Sequence, residues 1–292
     1  MEFDANRFRV KYCPCNKSNK DGKFSPFEGC DEHGHCHSCG KTFFPDLSKD
    51  EGFRFPVSFT PRGSRKRETG NFETSYVPKR YLDASMAIFG DNHFFRFLVD
   101  LVGEKSAEGL VQKYWIGSSK QKPGHSVFWQ VDYEGKIRTG KIIEYDPLTG
   151  KRIKGNCPDV SWVHSNLSMQ NFQLQQCFFG EHLLPQSDAM VAIVESEKTA
   201  VIASHFCPQF VWLATGGKQN LSPSKLTRMA SKEVILFPDN GAYHDWLTLS
   251  ERLSRGLRLK VSDCLEKIDN CYAFGPGFDI ADFLIQESRV SN

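Results

Sequence analysis

Short apolar runs bounded by turn signals dominate the last hundred residues. Val191-Ala192-Ile193-Val194 and Val234-Ile235-Leu236-Phe237 are too short for free-standing helices, and each ends abruptly in acid, at Glu195 and at Asp239. Buried parallel strands have this pattern when they deliver a side chain to the carboxyl edge of a sheet. Around them the period keeps changing. A helix is predicted from about residue 198 to 204, and a strand at Phe210–Ala214 breaks at Gly216-Gly217. Ser222-Pro223 reads as an N-cap and first-turn pair. A helix with Tyr243, Trp246, Leu249 and Leu253 on one face stops at Gly256, and Leu257–Val261 reads as a fourth strand. Strand-helix alternation of this kind predicts right-handed crossovers and a parallel sheet.

Upstream, apolar residues recur at three- and four-residue steps from Pro78 to Val102, with breaks at Gly90 and Gly103, so helices are expected there. Ser106 reads as the N-cap of a further short helix ending before Tyr114. From Ser126 to Tyr145 the period drops to two, with a hairpin turn at Glu134-Gly135 and a second turn over 146–151. Residues 50–76 have no apolar periodicity. Pro56, Pro61, Gly63 and Gly70 interrupt them, and Arg62, Arg65, Lys66 and Arg67 form a basic run, read either as a solvated linker or as a track for phosphates. The expectation is an α/β protein: a metal ribbon at 1–49, a basic linker at 50–76, a mixed α+β region at 77–186, and a parallel sheet flanked by helices at 187–292.

Composition changes this picture in two places. The net charge of +2 decides nothing about a nucleic-acid partner, but across 135–154 Lys and Arg outnumber the acids Glu144 and Asp146, as a basic groove requires. Ten cysteines without an export signal imply a reducing cytoplasm, where clustered thiols suggest metal rather than disulfides. No stretch approaches the roughly 18 apolar residues of a membrane span, so no membrane partner is expected.

Five of the ten cysteines precede residue 40. Cys13 and Cys15, then Cys36 and Cys39, are spaced like two hairpin knuckles around one tetrahedral Zn²⁺, with glycines and a proline supplying the turns. The first knuckle is an unusually tight Cys-x-Cys, so Cys30, His33, His35 or His37 could replace one of its members. A ribbon of some fifty residues has too little to bury, and the metal would be its core.

Two strands ending in Glu195 and Asp239 bring two carboxylates to one crevice, a site for a hard divalent cation. These residues resemble the toprim domain of bacterial primases, topoisomerases and some nucleases, in which one strand ends in glutamate and a later one in Asp-x-Asp. Here the later strand reads Asp239-Asn240-Gly241, without the second aspartate, and Asp279 and Asp282 loosely match a late acidic pair opening a helix. The resemblance implies Mg²⁺ or Mn²⁺ at Glu195 and Asp239, with Glu195 suited to relay the proton of an attacking hydroxyl.

The cysteine knuckles resemble the zinc ribbons at the front of phage and bacterial primases, and their order, ribbon before toprim, is that of primases. The segment 126–184 resembles the primase core before toprim, which places Arg138 and Lys141 toward template and nucleotide. As plain strand-face charges they read equally well. Lys198, at a helix start, could hold a phosphate or be simply solvated.

The function so implied is a metal-dependent nucleotidyltransferase making RNA primers on single-stranded DNA. It would be a cytoplasmic, stand-alone protein of a bacterial mobile element, with nucleotides as substrates and any helicase supplied separately. The alternatives are a non-catalytic nucleic-acid-binding protein with a degenerate toprim site, and a toprim nuclease.

Overall fold

Alternation of period two, where it occurs, sorts side chains onto two faces, and the described residues form three small sheets. The computed structural model describes residues 4–29, 31–38, 41–43, 74–86, 91–154, 160–217, 220–253, 257–268, 274 and 277–290. Cys30, Cys39, Gly256 and the basic run at 62–67 lie outside the described residues. The chain separates into two compact units, residues 1–70 and 71–292.

The first unit holds three antiparallel strands, β1 (Phe24–Pro26), β2 (Gly34–Cys36) and β3 (Thr42–Phe43), in that order. Among the described residues its buried apolar cluster is Cys13, Phe24 and Cys36, with Val10, Cys15 and Phe43 packed on it. Asn19, 3% exposed, supplements that core with hydrogen bonds. Its amide donates to the carbonyls of Arg7 (2.6 Å) and Val10 (2.9 Å), and its Oδ1 accepts from the Phe24 N–H at 2.7 Å.

The second unit begins with α1 (Lys79–Met86), α2 (His93–Val102) and α3 (Glu104–Lys113). Ser106 does not cap α3. Gly103, at φ 80°, closes α2 by donating to Val99 O and serves at once as the N-cap of α3, so the helix starts before Ser106 is reached. Glu104 in the first turn suits the positive end of the helix dipole.

Four antiparallel strands follow: β4 (Ile116–Ser118), β5 (Ser126–Val131), β6 (Ile137–Ile143) and β7 (Val160–Trp162), paired in sequence order, and then α4 (Val163–Asn166). The rest is β8 (Met190–Val194), α5 (Glu197–Phe206), β9 (Phe210–Ala214), α6 (Pro223–Leu226), β10 (Glu233–Leu236), α7 (Tyr243–Leu253), β11 (Arg258–Val261) and α8 (Ile280–Val290). β11, β10, β8 and β9 form a four-stranded sheet, in that order, parallel throughout. The expected α/β class, with a helix-flanked parallel sheet and an N-terminal cysteine cluster, is the observed one.

Strand alternation decides how the layers join. Val191 and Ile193 of β8, Val211 and Leu213 of β9, and Val234 and Leu236 of β10 pack with Trp246 and Leu253 of α7 on one face. Ala192, Val194, Trp212 and Ala214 point the other way, into a cluster shared with Phe94, Phe97 and Leu98 of α2, Leu110 of α3, Phe128 and Ile143 of the antiparallel sheet, and Ile280 and Ala281 of α8. The far face of that antiparallel sheet carries Val127, Trp129, Val131 and Ile142 against Leu82 and Val163. The two sheets thus share one core, and whatever stands at the edge of one is held against the other. Among the described residues no helix is long and apolar enough to cross a membrane.

Candidate metal and nucleotide site

Glu195 follows β8 directly, and Ser196 behind it is the N-cap of α5, its Oγ accepting the Thr199 N–H at 3.1 Å. β10 leaves the sheet beside it, since the Phe237 N–H still bonds Ile193 O at 2.8 Å, and Asp239 comes two residues later. The chain passes from β8 to β9 on one side and returns to β10 on the other. The gap between the carboxyl ends of β8 and β10 is therefore a topological switch point, where open α/β sheets bind ligands.

A third element reaches the same edge. Asp279 caps α8 and Asp282 is its third residue, and the two bond reciprocally. Asp279 Oδ1 accepts the Asp282 N–H at 3.0 Å, and Asp282 Oδ2 accepts the Asp279 N–H at 3.1 Å. Asp279 Oδ2 accepts the Thr199 hydroxyl at 2.6 Å, and the Asn240 N–H donates to Phe278 O at 2.9 Å. These bonds tie the start of α8 to both the α5 turn and the Asp239 loop.

The charges respond to this crowding. Burial, followed by repulsion from Glu195, Asp279 and Asp282, pushes the Asp239 carboxyl from its ordinary 3.8 up to about 7, with Lys198 opposing the rise. A divalent cation relieves such repulsion, so the donor set fits Mg²⁺ or Mn²⁺. Among the described residues the only group of three or more Cys, His, Asp or Glu donor atoms lying within 4.8 Å of one another is Cys13, Cys15 and Cys36. No three of the described carboxylates at this edge stand that close together.

Because the folded pKa of Asp239 is raised, folding takes up a proton there. The metal-free chain is expected to lose stability as pH rises from about 4 to about 7, and Mn²⁺ affinity to rise through the upper part of the same window. Thermal unfolding in chelator and in Mn²⁺ across that range checks both slopes, and both should flatten in Asp239→Asn.

Gly241 stands where the resemblance calls for a second aspartate. Its φ is +81°, no atom lies within 4 Å of where a Cβ would be, and its N–H donates to Glu266 Oε1 at 2.7 Å. The turn needs a left-handed residue there. Gly241→Asp is expected to cost about 1–2 kcal/mol of stability in strain, yet to tighten Mn²⁺ by adding a charged ligand. Denaturant unfolding and calorimetric titration of the same variant measure the two effects.

A cavity of about 490 Å³ opens on the acids Glu195, Glu197 and Asp282. Its lining also holds five basic residues, Lys141, Lys198, and Lys151, Arg152 and Lys154 from the segment after β6, beside Ile143 and Tyr145. Lys198 Nζ lies 3.6 Å from Asp282 Oδ1. Lys141 Nζ donates to Glu197 Oε2 at 2.9 Å and to Gly216 O at 3.3 Å, and Glu197 is 1% exposed. The predicted residues Lys141 and Lys198 therefore meet the acids, Lys141 as half of a buried ion pair. Arg138 does not line this cavity. Its Nε is 2.6 Å from Asp132 Oδ2, its guanidinium lies over the Tyr76 ring at 5.0 Å, and it lines another cavity, of about 270 Å³, with Lys225 and Arg228.

In the first unit, Cys15 Sγ is 3.0 Å from Cys13 Sγ and 3.8 Å from Cys36 Sγ. Thiolates on a tetrahedral zinc stand roughly 3.8 Å apart, so these three could hold the ion. Burial pushes the Cys13 thiol up to about 12 against the opposing Cys15 N–H, with the Cys15 and Cys36 thiols adding to the rise. A cation bound there would supply the compensating charge. His37 Nε2 lies 3.1 Å from Ser25 Oγ and His35 Nδ1 2.8 Å from Thr42 Oγ1, so two of the three candidate histidines already have hydroxyl partners.

The profile of a family described as "Domain of unknown function (DUF6371)" matches residues 92–240, just over half the chain. The chain belongs to this family. The DUF6371 segment contains Lys141, Glu195, Glu197, Lys198 and Asp239 and ends one residue after that aspartate, whereas the cysteine cluster, Asp279 and Asp282 lie outside it. No curated protein matches the DUF6371 chain in sequence.

Solved structures similar to it include a DnaG primase catalytic domain bound to ssDNA, at 11% identity and TM-score 0.48, covering 73% of this chain and 74% of that one. Another is the primase fragment of the bacteriophage T7 primase-helicase protein, at 15% identity and TM-score 0.38, covering 96% of both chains. A third is the Aquifex aeolicus primase with its zinc-binding and RNA polymerase domains, at 13% identity and TM-score 0.39. That match covers 66% of this chain and 46% of the Aquifex chain, so the DUF6371 chain spans less than half of it.

Proposed function

We propose that this protein is a primase-like, metal-dependent nucleotidyltransferase that makes primers on single-stranded DNA. The observation that carries the reading is the gathering of Glu195, Asp239, Asp279 and Asp282 at the sheet's switch point, where Glu195 and Asp282 line one cavity together with Lys141, Lys151, Lys154 and Lys198. Carboxylates alone suit a metal and lysines alone suit phosphates. Both together suit a metal-bound polyphosphate.

Glu195 and Asp239 hold the Mg²⁺ or Mn²⁺ that, when bound, neutralises charge on the phosphate under attack. Glu195 also accepts the proton of the attacking hydroxyl. Asp282 keeps Lys198 at the cavity wall, where its ammonium meets phosphate oxygens, and the cationic 151–154 segment contacts the polyphosphate from the opposite side. The buried Glu197–Lys141 pair fixes the antiparallel sheet against the α5 turn, so the basic wall and the acids keep their separation. The cysteine cluster holds a structural Zn²⁺ in the N-terminal unit.

A second reading, non-catalytic nucleic-acid binding, is favoured by Gly241 in its left-handed turn and by the engagement of Asp279 and Asp282 in capping α8. Primer synthesis on circular single-stranded DNA with labelled nucleotides and Mg²⁺ or Mn²⁺ separates the readings. Labelled short oligomers support the transferase, cut circles a nuclease, and retention of DNA without either product the binding protein.

A further inference from the structure

Beside the acid-lined cavity lies a larger one, of about 650 Å³, and the two share Lys151 and Asp282. Its lining is different in kind. One wall is α8, which beyond Asp282 presents Ile285, Gln286 and Arg289 at three- and four-residue spacing, hence on one face. The turn after β6 lines it as well, with Leu148 at its tip 80% exposed.

The floor is the buried ring of Phe97. Gly150, at φ +63°, lets the turn lie directly on that ring, because a Cβ there would stand 2.4 Å from it. At the remaining side Phe278 stacks on Phe274, ring centroids 4.6 Å apart and planes 17° from parallel.

A single exposed leucine at a turn tip means little. Here it overhangs an aromatic cavity that opens straight off a charged one. This division matches a nucleotide, whose polyanionic end needs cations and metal and whose flat, weakly hydrated end needs apolar walls and a ring face.

We propose that the larger cavity is the base subsite for the nucleotide whose phosphates are held at the acid cluster, an inference that rests on the function proposed above. Phe278 and Leu148 enclose the two faces of the base, and the Gln286 amide offers a donor and an acceptor to its edge. Arg289 closes the outer end with a cation suited to a π-face. The volume lies within the roughly 300–1,000 Å³ of small-molecule sites.

The test uses the full chain with Mg²⁺ and compares calorimetric titrations of ATP and of inorganic tripolyphosphate, which has the charge without the base. ATP is expected to bind at least tenfold more tightly. Phe278→Ala should remove most of that advantage. Leu148→Ser, at a side chain too exposed to affect folding, should weaken ATP several-fold, and neither variant should change tripolyphosphate. Equal binding of the two ligands by the wild type, or ATP binding untouched by Leu148→Ser, overturns the subsite alone. Failure of the wild type to bind either ligand overturns the subsite and the reading of the acid cluster with it.

Discussion

Glu195→Gln is expected to reduce metal-dependent primer synthesis by about a thousandfold, roughly 4 kcal/mol of transition-state stabilisation, while single-stranded DNA binding changes less than twofold. The substitution keeps the volume and removes the charge. Glu195 stands directly after β8, and its carbonyl accepts the Gly216 N–H at 3.0 Å, so the backbone that carries it is fixed by the sheet and does not depend on the carboxylate. What is lost is one anionic ligand and the acceptor for the hydroxyl proton. Asp239→Asn should be comparably inactive, but with an additional signature. Because Asp239 is held up to about 7 by burial and its acidic neighbours, its replacement by an amide should raise the stability of the metal-free chain at pH 8. A variant inactive through misfolding could not show that gain, so unfolding curves accompany the activity measurement.

The second large effect belongs to the N-terminal unit. Among the described residues its buried apolar side chains, Cys13, Phe24, Phe27 and Cys36, are far too few to order roughly forty residues, and one buried asparagine does not make up the difference. Structural zinc sites supply roughly 10–16 kcal/mol of binding free energy to folding. The purified protein is expected to carry about one zinc per chain, and Cys13→Ser with Cys36→Ser to lose it and to unfold the N-terminal unit, leaving residues 71–292 folded. Metal analysis with hydrogen exchange reads both consequences. Full zinc occupancy in the double variant would mean that these thiols are not the ligands.

The sequence made some of this legible because some residues report on their surroundings by themselves. An apolar run that stops at an acid, as at Val194-Glu195, reads as a strand end because burial and charge cannot coexist along it, and the parallel sheet followed from repeating that reading. Cysteine spacing reports on a candidate metal site in the same way, and the three named thiols among the described residues, Cys13, Cys15 and Cys36, converge. The start of α3 was not legible. Gly103 both ends one helix and starts the next, and a glycine gives no sign of the second role that Ser106 appeared to fill.

Nor could the pattern show which acids would meet. Asp279 and Asp282 have the spacing of a capping box, which any surface helix can use, and the packing of α8 and the Thr199 and Asn240 hydrogen bonds, which bring them to Asp239, leave no local signal. Glu197 was in plain view at the start of α5. Its partner Lys141 lies in another sheet, and no local signal in either segment names the other.

The most direct measurement is anomalous diffraction at the manganese edge from crystals grown with Mn²⁺ and a nucleotide. One manganese peak within coordination distance of Glu195 and Asp239, with Asp279 or Asp282 reached directly or through water, and absent from Asp239→Asn crystals, is the result expected here. A nucleotide bound without manganese at these carboxylates, or the same peak persisting in Asp239→Asn, would contradict the claim that this acidic edge is a catalytic metal site.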